Sequence, residues 1–176
     1  MIEQKKWFDK KFTFDIKPEN FSEIIERLRG TPARIKERTK NLTREQLKIK
    51  NNNQWSIQEN IGHLLDLEPI WAGRLDDLLS GRRLTEMRSA DLSNTKTHQA
   101  NHNNNEPTNL LRGFRKARFE FVDKLETLNE KEIEISLLHP RLQKQMRVID
   151  LAFFVAEHDD HHLVMITKII NTCCGN

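Results

Sequence analysis

Residues 55–81 read WSIQENIGHLLDLEPIWAGRLDDLLSG. Ser56 and Glu59 stand at the spacing of a capping box, in which the serine and glutamate side chains satisfy the first free amides of a helix. Behind them Ile57, Ile61, Leu64, Trp71, Leu75 and Leu78 recur every three or four positions and line one helical face. The pattern predicts a long amphipathic helix ending near Gly81, a residue suited to the left-handed position after a helix end. Pro69 lies inside it and should bend the rod. His63 sits among the apolar neighbours, on a face with Leu67 and Ile70.

Working outward, the same periodicity appears three more times. Residues 18–41 open with a proline suited to a first helical turn and carry Phe21, Ile24, Ile25, Leu28 and Ile35 at helical spacing. Pro32 should kink or break this helix. A short turn follows, with Thr43 and Gln46 at capping-box spacing. A third helix is expected from about Pro107 to Leu128, with Leu110, Leu111, Phe114, Phe121 and Leu125 inward. A last one should span roughly 149–171. Residues 129–147 read as irregular. Residues 82–106 are polar and asparagine-rich, a composition that buries little surface, so they read as a long crossover between the second and third long helices. The expected fold class is all-α: a four-helix bundle with that crossover, built as a single domain over residues 1–176.

Bulk composition agrees. Hydrophobic residues make up 36% and charged residues 31%, with six glycines and five prolines, which suits long helices with solvated outer faces. The net charge of +3 is mild and the two signs are mixed, which argues against nucleic acid or an anionic membrane as partner. No run reaches the roughly 18 apolar residues of a membrane span. The first residues, MIEQKKWFDKKFTFDIK, have no apolar signal core, so the expected location is cytoplasmic. Cys173 and Cys174 are adjacent and cannot staple a fold.

The last helix carries the chemistry, in AEHDDHHLVMI at 156–166. His158 and His162 lie on the stripe of Leu151, Val155, Met165 and Ile169, where aliphatic residues would pack. His161 falls on the neighbouring, more polar stripe. Imidazoles at i and i+4 project from one face about 6 Å apart and can grip one divalent ion. Burying them without partners is costly, and a metal removes that cost by using their lone pairs. His63 brings a third inward imidazole from another helix. Three protein ligands leave an open coordination position, the mark of a catalytic metal. The alternative is a set of core histidines bonded to the backbone. His98 and His102 form a second HxxxH, but in sequence with no apolar stripe, which reads as a solvated loop. Trp55 and Trp71 read as core aromatics. Asp91, Asn94, His98 and Arg141 are candidates to face a substrate.

The order of these features, a tryptophan-serine helix start with His63 seven residues beyond the serine and a C-terminal EHDDHH helix, resembles the DinB/YfiT-like superfamily. The resemblance spans most of the chain and includes a Gly30-Thr31-Pro32 turn in the first helix. It implies a four-helix bundle with one divalent metal on three histidines, at His63, His158 and His162. Members are described as metal-dependent hydrolases. Some relatives are thiol S-transferases that join low-molecular-weight thiols such as bacillithiol to electrophiles.

Three neutral imidazoles leave a bound ion its full charge, which on zinc lowers the pKa of water to about 7. The same ion would bind a thiolate. Zinc and nickel both suit such a shell. The expected function is therefore metal-dependent hydrolysis of a small molecule, with thiol transfer as the alternative. A third reading is a non-catalytic bundle with structural metal, where His161 would add a fourth ligand. A homodimer is compatible with such a bundle, though no motif specifies it.

Overall fold

The computed structural model describes residues 3–50, 54–81 and 84–174. Arg82 and Arg83, in the crossover, and the side chain of Cys174 lie outside them. The four long helices are α1 (Phe21–Thr39), α3 (Ile57–Leu79), α5 (Pro107–Glu126) and α7 (Val148–Ile169). Short helices α2 (Arg44–Lys48), α4 (Thr95–Gln99) and α6 (Glu130–Ile133) lie between them. Helices α1 and α3 each pack against both α5 and α7, which closes the four-helix bundle.

Both capping boxes form. Ser56 Oγ accepts from the Glu59 amide at 3.1 Å and Glu59 Oε2 accepts from the Ser56 amide at 2.9 Å, so α3 starts where its sequence says it should. Thr43 and Gln46 do the same for α2. At the other end of α3, Gly81 takes φ 77°, the left-handed conformation glycine adopts without strain. Pro32 does not break α1, which is assigned as one helix across Gly30-Thr31-Pro32, so the expected turn there is absent. Thr31 and Pro32 are buried within it instead.

Two stretches behave differently from expectation. Residues 129–147 are ordered as α6 followed by an antiparallel hairpin, β1 (Ser136–His139) and β2 (Lys144–Arg147). Leu137 and Met146 face each other across it and are buried. The alternation is only four residues long, too short to register as a period. The crossover also buries more than its polarity suggested. Met87 is buried, and its amide donates to Leu138 O at 3.1 Å, which lays the crossover along β1. Arg88 clamps Asp77 of α3 through Nε at 2.9 Å and Nη2 at 2.6 Å. The crossover can lie so close because Gly62 and Gly73 present no side chain. A methyl at Gly62 would run into the imidazole of His102, and one at Gly73 into the guanidinium of Arg88.

The N-terminal residues wrap the end of the bundle. Phe12 is buried, and Trp7 sets its ring 5.0 Å from that of Phe154 on α7. Lys144 and Arg147 of the hairpin hold this segment through the carbonyls of Phe12, Phe14 and Ile16. Among the described residues no helix is long and apolar enough to cross a membrane.

Candidate metal centre

His63, His158 and His162 converge. Each offers a ring nitrogen that lies within 4.8 Å of those of the other two, and all three residues are buried. Helical geometry supplies the pair on α7, one turn apart. The packing of α3 on α7 supplies the third.

The hydrogen bonds around the rings decide which nitrogens face inward. Thr97 Oγ1 donates to Asp66 Oδ2 at 2.9 Å, so it accepts from His63 Nδ1 at 3.0 Å. His162 Nδ1 donates to Asn60 Oδ1 at 2.8 Å. Both imidazoles therefore carry their proton on Nδ1 and turn an Nε2 lone pair toward the centre, the arrangement metal-binding histidines require. His158 Nε2 stands 3.3 Å from His162 Nε2. Two imine nitrogens at that distance need a proton or a cation between them. His158 Nδ1 is buried and has no partner among the described residues. Burial pushes the His63 imidazole down to about 4, and Asp66 only partly opposes this. Burial and the neighbouring imidazoles push His158 and His162 well below the ordinary value. All three are neutral at pH 7, which leaves each a lone pair to offer an ion. This donor set fits one divalent ion.

His161 is not part of the group. It points to the side, where Gln4 Nε2 meets its Nδ1 at 2.9 Å. His102 corrects the expectation of a solvated loop: it is buried, and its Nε2 meets Asp66 Oδ2 at 2.7 Å. His98 remains exposed, as read. Asp66 thus anchors the crossover and, through Thr97, the tautomer of His63. Neither Asn60 nor Thr97 was singled out in the sequence. Asn60 lies three residues before His63, nearly a turn back on the same helix, which is the one signal that could have marked it. Thr97 carries no local signal, because its role depends on how the crossover folds back. The acidic residues of α7 flank the bundle's ion pairs. Glu157 and Asp160 bind Arg27 at 2.8 and 2.6 Å. Asp159 is fully buried against Arg118, which also holds Glu68 at 2.6 Å.

A cavity of about 380 Å³ opens over the three imidazoles. Trp55 is a wall of it rather than simple core. Its ring lies 4.6 Å from that of His63 and stacks on His162 at 6.0 Å. Trp71, buried as expected, forms part of the lining with Leu67 and Phe154. Asp91, Asn94 and Arg141 also reach the lining, whereas His98 does not. Asp91 accepts from Ser93 and Thr95, which hold its carboxyl down at about 2.

Comparison with known proteins places the fold. A solved structure of YfiT from Bacillus subtilis, described as a probable metal-dependent hydrolase with an unusual four-helix bundle topology, matches with a TM-score of 0.80. The two share 20% identity over 95% of each chain, so the likeness speaks for the fold. No curated protein matches the sequence. Residues 27–166 match the DinB superfamily, a span that takes in all three histidines and all four long helices except the first turns of α1 and the last residues of α7. The chain belongs to the DinB superfamily.

Proposed function

We propose that this protein is a metal-dependent hydrolase of a small molecule, holding one divalent ion, zinc or nickel, on His63, His158 and His162. The convergence of three neutral imidazoles on the floor of an open cavity carries this reading. When bound, such an ion supplies Lewis acidity, which activates a nucleophile or polarises a carbonyl. The chain's own groups prepare the site. Thr97 and Asn60 fix the tautomers of His63 and His162, and Trp55 and Trp71 line the cavity beside them. A purely structural metal would call for a fourth protein ligand. Among the described residues the group has three members, and His161 is engaged by Gln4.

Thiol transfer is the second reading, and one observation favours it. The only carboxylate lining the cavity among the described residues is Asp91, already committed to Ser93 and Thr95. The wall thus offers no free carboxylate to take a proton from water. A thiol ionises far more readily than water and depends less on such a base.

Elemental analysis of purified protein and of His162→Ala tests the metal, with one equivalent expected in the first and little in the second. Turnover of a panel of esters, amides and alkylating electrophiles, with and without a small thiol, separates the two chemistries. Wild-type protein that binds no divalent ion, or a variant that keeps a full equivalent, would overturn the proposal.

A further inference from the structure

The cavity has a second polar region, built from Arg74 on α3 and from His139 and Arg141 at the end of the hairpin. Arg74 lies eleven residues beyond His63, three turns along the same helical face and about 16 Å along the axis. It is 2% exposed. Buried guanidinium groups are normally paired with carboxylates. Arg118 in this same bundle shows that solution, between Glu68 and Asp159. Arg74 forms no ion pair among the described residues. Its Nε donates to Arg88 O at 3.2 Å, and its Nη1 meets His139 Nε2 at 3.0 Å.

His139 does not offset that charge. The Leu142 amide donates to its Nδ1 at 3.2 Å, so both ring nitrogens face N–H donors. A neutral imidazole has one lone pair to offer, and one of the two donors goes without an acceptor. Arg141 adds a second cation. Its Nη2 is buried without a partner among the described residues, while its guanidinium lies over the rings of Phe8 and Phe154 at 5.2 and 5.9 Å. Asp77, the acidic neighbour of Arg74 on α3, is taken up by Arg88. Burial together with Arg141 drags the Arg74 guanidinium down to about 10, which reports how poorly its charge is compensated.

The geometry points to Arg74 and Arg141 as a binding subsite for an oxyanion, a carboxylate or phosphate carried by the small-molecule ligand of this cavity. Guanidinium forks match either group through paired charge-assisted hydrogen bonds. Leu67, Trp71 and Phe154 line the same cavity and suit an apolar body between the anion and the imidazole centre. As a statement about substrate this rests on the hydrolase reading. Anion binding by itself requires no metal.

The test uses full-length protein freed of metal by chelation, in a phosphate-free, low-chloride buffer. Benzoate, phenyl phosphate and the neutral analogue benzamide are titrated by calorimetry and by intrinsic tryptophan fluorescence. At least one of the two anions should bind, benzamide should not, and the comparison of the anions tells carboxylate from phosphate. Arg141→Gln, at a half-buried hairpin position where folding should survive, should weaken the anion by about tenfold or more. Arg74→Met should abolish the binding if that variant folds. Equal binding of benzamide, undiminished binding by Arg141→Gln, or no binding of either anion would overturn the subsite. Metal content, measured separately, tells failure of the subsite from failure of the hydrolase reading.

Discussion

Thr97, on the crossover, stands 3.0 Å from Nδ1 of His63, on α3. The polar crossover thereby sets the tautomer of a histidine in the bundle core, and Asp66 fixes the direction of the hydroxyl. Thr97→Val keeps the shape and removes both hydrogen bonds. Metal affinity should fall about 10–100-fold, the usual effect of losing such an outer partner. Competition with a chelator of known affinity measures it. Unchanged affinity would mean that the hydroxyl does not orient the ring.

Arg118 is fully buried between Glu68 and Asp159. One cation serves two carboxylates. Burial, with Asp159 close by, raises the Glu68 carboxyl to about 7 despite Arg118. Arg118→Met leaves buried charge uncompensated and should cost about 3–5 kcal/mol in urea unfolding. Glu68→Gln imitates the protonated acid, keeps a hydrogen-bonding oxygen and should cost no more than about 1 kcal/mol. The opposite ranking would show that both carboxylates are needed as anions.

Gly62 and His102 touch where the crossover meets α3, with no room for a methyl. Gly62→Ala should push His102 away from Asp66 and destabilise the protein by about 1–3 kcal/mol, even though alanine is the better helix former. Adding His102→Ala should restore part of that loss. A double-mutant cycle measured by thermal unfolding checks the coupling.

His139 also shapes the response to acid. Burial, with Arg74 and Arg141 close by, lowers its imidazole to about 3 from the ordinary 6.5. In an unfolded chain it takes up a proton below about 6.5, whereas the folded protein resists until about 3. Between these values the unfolded state binds more protons, so stability falls as pH falls. His139→Gln should lose less stability than wild type between pH 7.5 and 5, as followed by Tm. Parallel curves would remove His139 from the acid response.

How far the sequence could be read shows in particular residues. The start of α3 was legible because Ser56 and Glu59 act within one turn. His158 and His162 were legible as a pair because helical geometry alone aligns positions one turn apart. The break offered at Pro32 does not occur: a proline inside a helix signals one locally, while α1 runs on through it with Ile24, Ile25, Leu28 and Ile35 packed in the core. The hairpin escaped because its four-residue strands are too short for period-2 alternation to stand out. His102 escaped because asparagine-rich neighbours resemble solvated loop wherever they lie.

The sequence by itself determined the four long helices, their inward faces and the presence of three imidazoles on those faces. These follow from local periodicity and caps, which act over three or four residues. Only the tertiary structure decided that His63 meets the α7 pair, that Asn60 and Thr97 aim the rings, and that Arg74 and Arg141 share the cavity. Such contacts join residues 34 to 102 positions apart, and their geometry is set by how the helices and the crossover pack, which no local pattern encodes.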